Sequence, residues 1–406
     1  MENTGLLLTR LLNLGTDWVV KDIILNTDFK EIDIYVEYTH RTGECPLTKE
    51  KCKIYDFRES RRFRHLDLFE YKTFINARLP RVINNKSEIN TIDLIWAGQR
   101  VGYTYLFENK VISALKMSKN QTKTAAFFDT SFDIIHGIME RAVSRGLGRR
   151  NLDNTQSLSL DEKSFSNGQK YITILSDPIN KCVLDIIEGR KTEDATELLI
   201  NTLSPQQREK VDIVSMDMWK PFMTAVTEVI PQADIVHDKF HTAKYLNSAV
   251  DDVRKSEVGE QIILKNSKYL FLTNPENWTE FQTLKFEEIN QVNSVTSQAW
   301  LIKENFKEIY NQGRKELCLT FFELWYKNTL DSGIKRMIKV ADTMLNHLKG
   351  IINSAVTKIT NSGAENINSQ IQVVKSVARG FSNINGYRNA ILFFQGNLNM
   401  FSLLIP

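Results

Sequence analysis

The stretch VDIVSMDMW, Val211–Trp219, decides how the rest of the chain is read. Its apolar residues are of strand type and lead into one carboxylate, Asp217, after which a helix-like run begins. A buried strand ending in an acid delivers that acid to the carboxyl edge of a sheet, where α/β folds build their sites. One carboxylate does little chemistry alone, so its partners have to be sought elsewhere in the chain.

Upstream of it, Asn151–Ser157 (NLDNTQS) is polar and turn-rich and reads as a linker. Leu158–Asp161 then predicts a short strand, Tyr171–Leu175 (YITIL) a second after a turn at Gly168, and Val183–Ile187 a third. Thr192–Leu203 predicts a helix opened by TED, with Thr192 as its cap and acids in the first turn. Val211–Asp217 is the fourth strand, Trp219–Val229 a helix and Asp234–Val236 the fifth strand. Three strands, helix, strand, helix, strand is the order of a ribonuclease-H-like mixed sheet flanked by helices. From Thr242 to about Thr360 the pattern is almost continuously helical, a block that interrupts this fold before its final helices. Its Trp278, Trp300, Phe321, Phe322, Trp325 and Tyr326 read as core in preference to a base-stacking platform.

Nearer the amino terminus, a short apolar helix reaches about Leu14, and Ile32–Tyr38 (IDIYVEY) alternates apolar and acidic residues as a half-buried strand does. Lys110–Arg150 predicts three short amphipathic helices with a break at DTS and Thr130 capping the last. Two of them joined by a tight turn, the second ending in Arg141, Arg145, Arg149 and Arg150, fit a helix-turn-helix, and a plain helical hairpin fits the periodicity almost as well.

The net charge of +3 is unevenly spread. Arg41–Arg81 holds eleven Lys/Arg against six Asp/Glu and Lys110–Arg150 eight against three, which leaves the remainder acidic. Basic amino-terminal regions on an acidic body imply a polyanion partner. Arg58, Arg61, Arg62 and Arg64 interleave with Phe57, Phe63 and His65, a mixture suited to phosphate contact and stacking, or to a solvated strand. From Asn368 onward there are three basic residues, Lys375, Arg379 and Arg388, and no acid. Four scattered cysteines argue against a disulfide framework, and the lack of a long apolar run or a leader-like start predicts a soluble, unexported, cytoplasmic protein with no membrane partner. Cys45 and Cys52 stand where a zinc knuckle belongs, but zinc asks for paired Cys-x-x-Cys units; Thr48 takes the second thiolate's place, and His40 and His65 reach the site only at irregular spacing. Zinc is therefore not expected.

Three carboxylates stand out by context: Asp161 ending SLSLD, Asp217 ending VDIVSMD, and Glu365 opening the helix AENINSQIQVVK. Hard oxygen donors of this kind suit Mg²⁺ or Mn²⁺ and, as a set, phosphodiester chemistry. Glu162 and Asp238 are local rivals, and Lys239, His241 and Lys244 of HDKFHTAK are further candidates.

In order along the chain, LDEKSF, SMDMWKPF, HDKFHTAKYLNSAVDDVRK, TNPENW and NSGAENINSQIQVVKSVARGFSNINGYRNAILF closely resemble the catalytic blocks of the ISL-three family of bacterial insertion-sequence transposases, which are DDE-type and ribonuclease-H-like. The upstream YDFRESRRFRHLDLFEYKTFINARLPRV and MSKNQTKTAAFFDTSFDIIHGIMERAVSRGLGRR look like that family's zinc-ribbon flank and helix-turn-helix. The resemblance covers nearly the whole chain. It implies Asp161, Asp217 and Glu365 as the acid triad, Mg²⁺-dependent nicking and joining at element ends, terminal inverted repeats and target DNA as partners, a homodimer or larger synaptic assembly, and a nucleoid-associated place in a bacterial cytoplasm. The departures are Thr48, the segment VINNKSE (Val82–Glu88) where the family's second ligand pair belongs, and Asn366 where a glycine usually follows the Glu. The expected domains are a degenerate zinc-ribbon-like DNA-binding region over 1–105, a helix-turn-helix over 106–150, the first part of the catalytic core over 151–246, a helical insertion over 247–360 and the last core helices over 361–406. The alternative is a decayed or repurposed DNA-binding protein without chemistry, against which the three retained acids speak.

Overall fold

The structure, a computed structural model, describes residues 4–166, 170–292, 294–357, 362–378, 381 and 383–402, with the side chains of 4–6, 166 and 362–365 outside that description. The chain forms two units: residues 1–150 with 376–380 and 398–406, and residues 151–375 with 381–397. Among the described residues no helix is long and apolar enough to cross a membrane.

The first unit opens with α1 (Thr4–Leu11) and then builds a six-stranded sheet from β1 (Trp18–Asn26), β2 (Glu31–Tyr38), β3 (Thr42–Glu44), β4 (Lys51–Arg64), β5 (Lys72–Ile83) and β6 (Ile89–Thr91). The order is β1-β2-β5-β4-β3 with β6 against β5, and β2 and β5 run parallel. Period-two alternation turns Ile34, Val36, Phe63, Ile75, Ala77 and Leu79 inward. Trp96 closes that core edge-on against Trp18 and Phe63, at 5.6 and 5.1 Å between ring centres.

Three helices follow, α2 (Tyr105–Ser118), α3 (Gln121–Phe127) and α4 (Phe132–Arg149). The cap of α4 is Ser131, whose hydroxyl accepts from the Ile134 N–H at 3.3 Å; the expected cap, Thr130, stands one residue too early. Asp129, at a φ of 45°, turns the chain so that Ser131 is the residue whose extended backbone can cap. The returning carboxyl-terminal segment lies across α4 so closely that a Cβ on Gly146 would come within 2.6 Å of the Leu398 Cβ.

His65 is buried in this unit, with Nδ1 2.8 Å from the Thr104 hydroxyl. Burial, and then the Arg64 charge, push its pKa down from 6.5 to about 4, opposed by Asp67. Because the folded value lies below the unfolded one, the stability carried by the neutral ring is complete above pH 6.5 and is lost as pH falls towards 4. Denaturant unfolding should show a loss of about 3 kcal/mol from this group between pH 7 and pH 4. His65→Gln should flatten that dependence, and an unchanged slope in the variant would refute the assignment.

The second unit carries a five-stranded sheet of β7 (Ser157–Ser166), β8 (Lys170–Asp177), β9 (Cys182–Glu188), β10 (Ile213–Met216) and β11 (Asp234–His237), in the order β11-β10-β7-β8-β9. β7, β8 and β9 pair antiparallel, whereas β7, β10 and β11 run parallel. Between them come α5 (Thr192–Thr202), α6 (Pro205–Glu209) and α7 (Lys220–Val229). Leu198, Leu199, Phe222 and Val226 of α5 and α7 pack on Leu158, Leu160, Val214 and Met216 of the sheet. Thr192 is the first residue of α5 and not its cap; Lys191 holds the cap position, and Asp194 reaches back to its N–H at 2.8 Å. β7 and β8 run longer than the sequence predicts, because they pair as a hairpin beyond their apolar cores.

From α8 (Lys239–Glu257) the unit is helical: α9 (Lys268–Leu272), α10 (Glu280–Gln291), α11 (Val295–Phe306), α12 (Glu308–Asn311), α13 (Lys315–Asp331), α14 (Lys335–Asn346) and α15 (Leu348–Thr357). One continuous apolar core runs through them. Trp300, Phe322 and Trp325 are buried, Trp278 and Tyr326 are partly covered, and Phe321 is exposed. The last helices are α16 (Ser362–Val377) and α17 (Ile384–Gln395). Arg388 of α17 clasps Asp185 of β9 with two bonds of 2.6 and 2.7 Å.

Candidate active site

Strand register aligns the acids. Leu160 of β7 lies opposite Met216 of β10, and Met216 lies opposite His237 of β11. The next residue in each case is an acid: Asp161, Asp217 and Asp238. Parallel neighbours stand about 4.8 Å apart, so three adjacent strands present three carboxylates at one level, Asp217 and Asp238 just past the ends of β10 and β11 and Asp161 within β7, which runs on to Ser166 beside β8.

Each acid is held differently. Asp161 accepts from the Glu162 N–H at 2.7 Å and from the Asn368 amide. Burial raises its pKa, those two hydrogen bonds lower it, and the nearby charges of Glu162 and Asp238 raise it again, with a net upward shift. Asp217 is half-buried, with the His241 ring against its carboxylate. Burial, and then Lys244, push the His241 pKa down. Asp238 is buried and caps α8, accepting from the Phe240 N–H at 3.0 Å. A cavity of about 340 Å³ opens beside Asp217, lined also by Glu162, Trp219, His241, Lys244 and Tyr245. Arg190 forms one rim: it pairs with Glu162 at 3.3 Å, lies over the Tyr171 and Trp219 rings at 3.9 and 5.4 Å, and its carbonyl accepts from the Trp219 indole.

Glu365 belongs to α16, and its side chain lies outside the described residues. The same helix brings Asn368 to Asp161, and the Asn368 carbonyl accepts from Lys163 at 2.5 Å. Lys375 donates to the Ser164 carbonyl at 3.2 Å, so α16 lies along β7. Arg379 lies outside the described residues. Asn368 and Arg190 escaped the sequence reading: Asn368 stands one turn after Glu365, the only signal available, and nothing local marks Arg190.

The basic residues of the first unit are largely engaged within it. Arg61 donates to the Gln99 and Val101 carbonyls, Arg62 to Asp33 and Glu31 while lying 3.4 Å over the Phe74 ring, and Arg64 to the His65 carbonyl and Asp67. Arg58 is exposed. On α4, Arg141 lies over Tyr103, Arg145 binds Glu108 and the Met400 carbonyl, and Arg149 binds the Phe401 carbonyl. Arg150 follows α4 as its cap, its N–H on the Leu147 carbonyl. The outward row of guanidinium groups that the sequence suggests is in good part a set of internal ties.

Cys45 and Cys52 are both buried and free. The Cys45 thiol is drawn below its usual pKa by the Thr48 N–H, against burial, with help from the Thr48 hydroxyl, the Leu47 N–H and the Asn84 side chain. Burial raises the Cys52 thiol, with Cys45 and Glu50 adding to the effect. Thr48 and Asn84 thus hydrogen-bond the Cys45 thiol, with Thr48 in the place of a second thiolate. Among the described residues no three His, Cys, Asp or Glu side chains form a ready cage for any metal, and Glu365 is not among those residues.

The chain is similar to several known proteins. The profile of the ISL3-type DDE transposases, described as transposase, matches residues 158–391. The transposase for insertion sequence element IS1001 of Bordetella parapertussis is 25% identical over 361 residues, covering 87% of this chain and 88% of that protein. The transposase for IS1557 of Mycobacterium tuberculosis is 21% identical over 357 residues, covering 79% and 78%. Among solved structures, the Drosophila P element transposase strand transfer complex aligns with 75% of this chain and 95% of its own at 10% identity and a TM-score of 0.39, too loose to carry an argument.

Proposed function

Because the chain belongs to the ISL3-type family of DDE transposases, and is therefore a DNA-cleaving and strand-transferring enzyme, we propose that Asp161, Asp217 and Glu365 are its catalytic acids. The observation that carries this is the strand register, which brings Asp161 and Asp217 to one level on adjacent parallel strands. The strand order β9-β8-β7-β10-β11, three antiparallel and two parallel, supports a ribonuclease-H-like core over 151–246, resumed after a helical insertion over 247–360 by α16 and α17.

The family generally works with divalent cations, and the donor set fits one. Hard carboxylate oxygens stand at one level on adjacent strands, and the half-buried Asp161 is raised in pKa by desolvation and by the nearby charges of Glu162 and Asp238, a place that gains from a cation. Asp161, Asp217 and Glu365 would hold Mg²⁺ or Mn²⁺; when bound, it would acidify an attacking water or 3′-hydroxyl and neutralise the leaving oxygen. The protein's own groups do the positioning. Asn368 fixes the Asp161 carboxylate, His241 backs Asp217, and Arg190 holds Glu162 to the rim. These fixed donors hold the reacting groups without reorganisation during the step.

For DNA we propose that α3 and α4 act as a helix-turn-helix over 106–150, with residues 1–105 a metal-free ribbon-like flank, and that Arg58, Arg141 and Lys375 contribute charge to the backbone contacts. The duplex would be the element's terminal inverted repeats and then the target, handled by a dimer or larger assembly in a bacterial cytoplasm. The test is cleavage of a duplex carrying the element's own end. Mg²⁺-dependent nicking that chelation abolishes supports the proposal. Binding with no nicking in Mg²⁺ or Mn²⁺ would leave the decayed DNA-binding protein as the better reading.

A further inference from the structure

α8 separates two cavities of opposite character. His241, Lys244, Tyr245 and Ser248 recur at helical spacing on the face that borders the acids, whereas Lys239, Thr242, Ala243 and Leu246 form the stripe that lines a second cavity of about 480 Å³. That volume lies in the ~300–1,000 Å³ range of small-molecule sites.

The second cavity is electropositive. Lys303 is 4% exposed, with Nζ 2.6 Å from the Phe271 carbonyl and 2.9 Å from Glu304. Lys307 shares the same Glu304 at 2.5 Å and reaches Asn274 at 2.9 Å, while Lys239 is exposed. Lys303 and Lys307 thus share one carboxylate, and Lys239 adds a third ammonium to the lining. Glu304 and the Phe271 carbonyl support the buried Lys303 charge, and with Lys307 and Lys239 the lysines outnumber that carboxylate.

The remaining lining is aromatic and amide. Phe240 presents a ring that is 51% exposed, and the Tyr310 hydroxyl is fixed on Thr242 at 2.9 Å. The Asn247 side-chain carbonyl is buried with no hydrogen-bond partner among the described residues. A buried acceptor left open is a place for a donor that arrives with a ligand.

We propose that this cavity is a subsite for one nucleotide unit: the lysines take its phosphate, Phe240 stacks on its base and Asn247 accepts from a base N–H. The source the fold favours is an unpaired nucleotide of the DNA substrate. The cavity and the acids share one helix, whose diameter of about 10 Å sets the spacing between them. That choice of source rests on the proposed acid site, whereas the cavity's chemistry does not.

The test measures binding by the full chain in EDTA, so that no cleavage intervenes. Two probes are compared by fluorescence anisotropy: a blunt duplex, and the same duplex with a two-nucleotide 3′ overhang. The overhang should tighten binding by about tenfold. Phe240→Ala and Asn247→Ala, both at partly exposed positions, should remove that preference and leave blunt-duplex affinity within about twofold. Asp217→Asn should keep the preference while losing cleavage, which separates failure of the subsite from failure of the acid site. Displacement of the overhang by dAMP at similar concentration would support the cavity's chemistry with a free nucleotide as its source. Equal affinity for both duplexes with no displacement by dAMP overturns the proposal, and so does a preference that survives both substitutions.

Discussion

Asp217→Asn should lower the rate of end cleavage by on the order of 10³-fold or more, with folding and duplex binding unchanged. The substitution keeps the shape of the side chain and removes one negative charge at the carboxyl end of β10. Asp217 is half-buried and ends its strand, so no core contact is lost with the charge. A strand-end acid whose loss left the rate intact would be structural, and the triad assignment would fall. Asp238 is the control. It stands at the same level on the neighbouring strand and spends its carboxylate on the α8 cap. Asparagine caps helices about as well as aspartate, so Asp238→Asn should leave stability within about 0.5 kcal/mol and most of the rate in place. Single-turnover cleavage in Mg²⁺, with thermal melts run in parallel, distinguishes the two acids. Equal losses at Asp217 and Asp238 would mean that the third strand end belongs to the reaction as well.

Trp325→Ala should cost about 3–5 kcal/mol of unfolding free energy, the usual result of removing a buried aromatic ring. Trp325 is 4% exposed, and its indole donates to the Ile302 carbonyl at 2.8 Å. Its ring meets Phe306 and Phe322 at 4.7 and 5.6 Å. The truncation therefore opens a cavity and removes the indole hydrogen bond to the Ile302 carbonyl. Phe321, next in sequence to Phe322 but 37% exposed, should tolerate the same truncation at a cost of under about 1 kcal/mol. Denaturant unfolding of the two variants measures the contrast. A Trp325→Ala chain of normal stability but weakened DNA binding would make this tryptophan a stacking surface and refute its core role.

What could be read from the linear chain follows from how the acids are delivered. VDIVSMD and SLSLD both predict a strand that ends in a carboxylate, and such a strand needs only local pattern to be recognised: alternation or an apolar run, then a polar stop. The order of strands and helices, the helical block after α8 and the core placement of Trp300, Phe322 and Trp325 were legible for the same reason. Hydrophobic periodicity is a local property, and burial follows it.

Errors of detail also had local causes. Thr130 and Thr192 are sound caps by composition, yet the positive φ at Asp129 and the reach of Asp194 moved the helix starts by one residue. The internal ties of the arginines of β4 and α4 were hidden for a different reason. A guanidinium in sequence carries no mark of whether a carboxylate or a carbonyl far along the chain awaits it. Arg62 finds Asp33, and Arg145 finds Glu108 and the returning carbonyl of Met400.

The sequence by itself determined that Asp217 directly follows its strand; Asp161, expected to end SLSLD, lies inside β7, which runs on to Ser166 in its hairpin with β8. Only the tertiary structure decided that the two acids stand side by side. Strand order and register are set by pairing between segments separated along the chain by whole helices and strands, Leu160 with Met216 and Met216 with His237, and no local pattern encodes which strand lies next to which. The same long-range packing brought Asn368 to Asp161 and put a lysine-lined cavity on the far face of α8, because a helix shows its stripes in sequence but not the neighbours they meet.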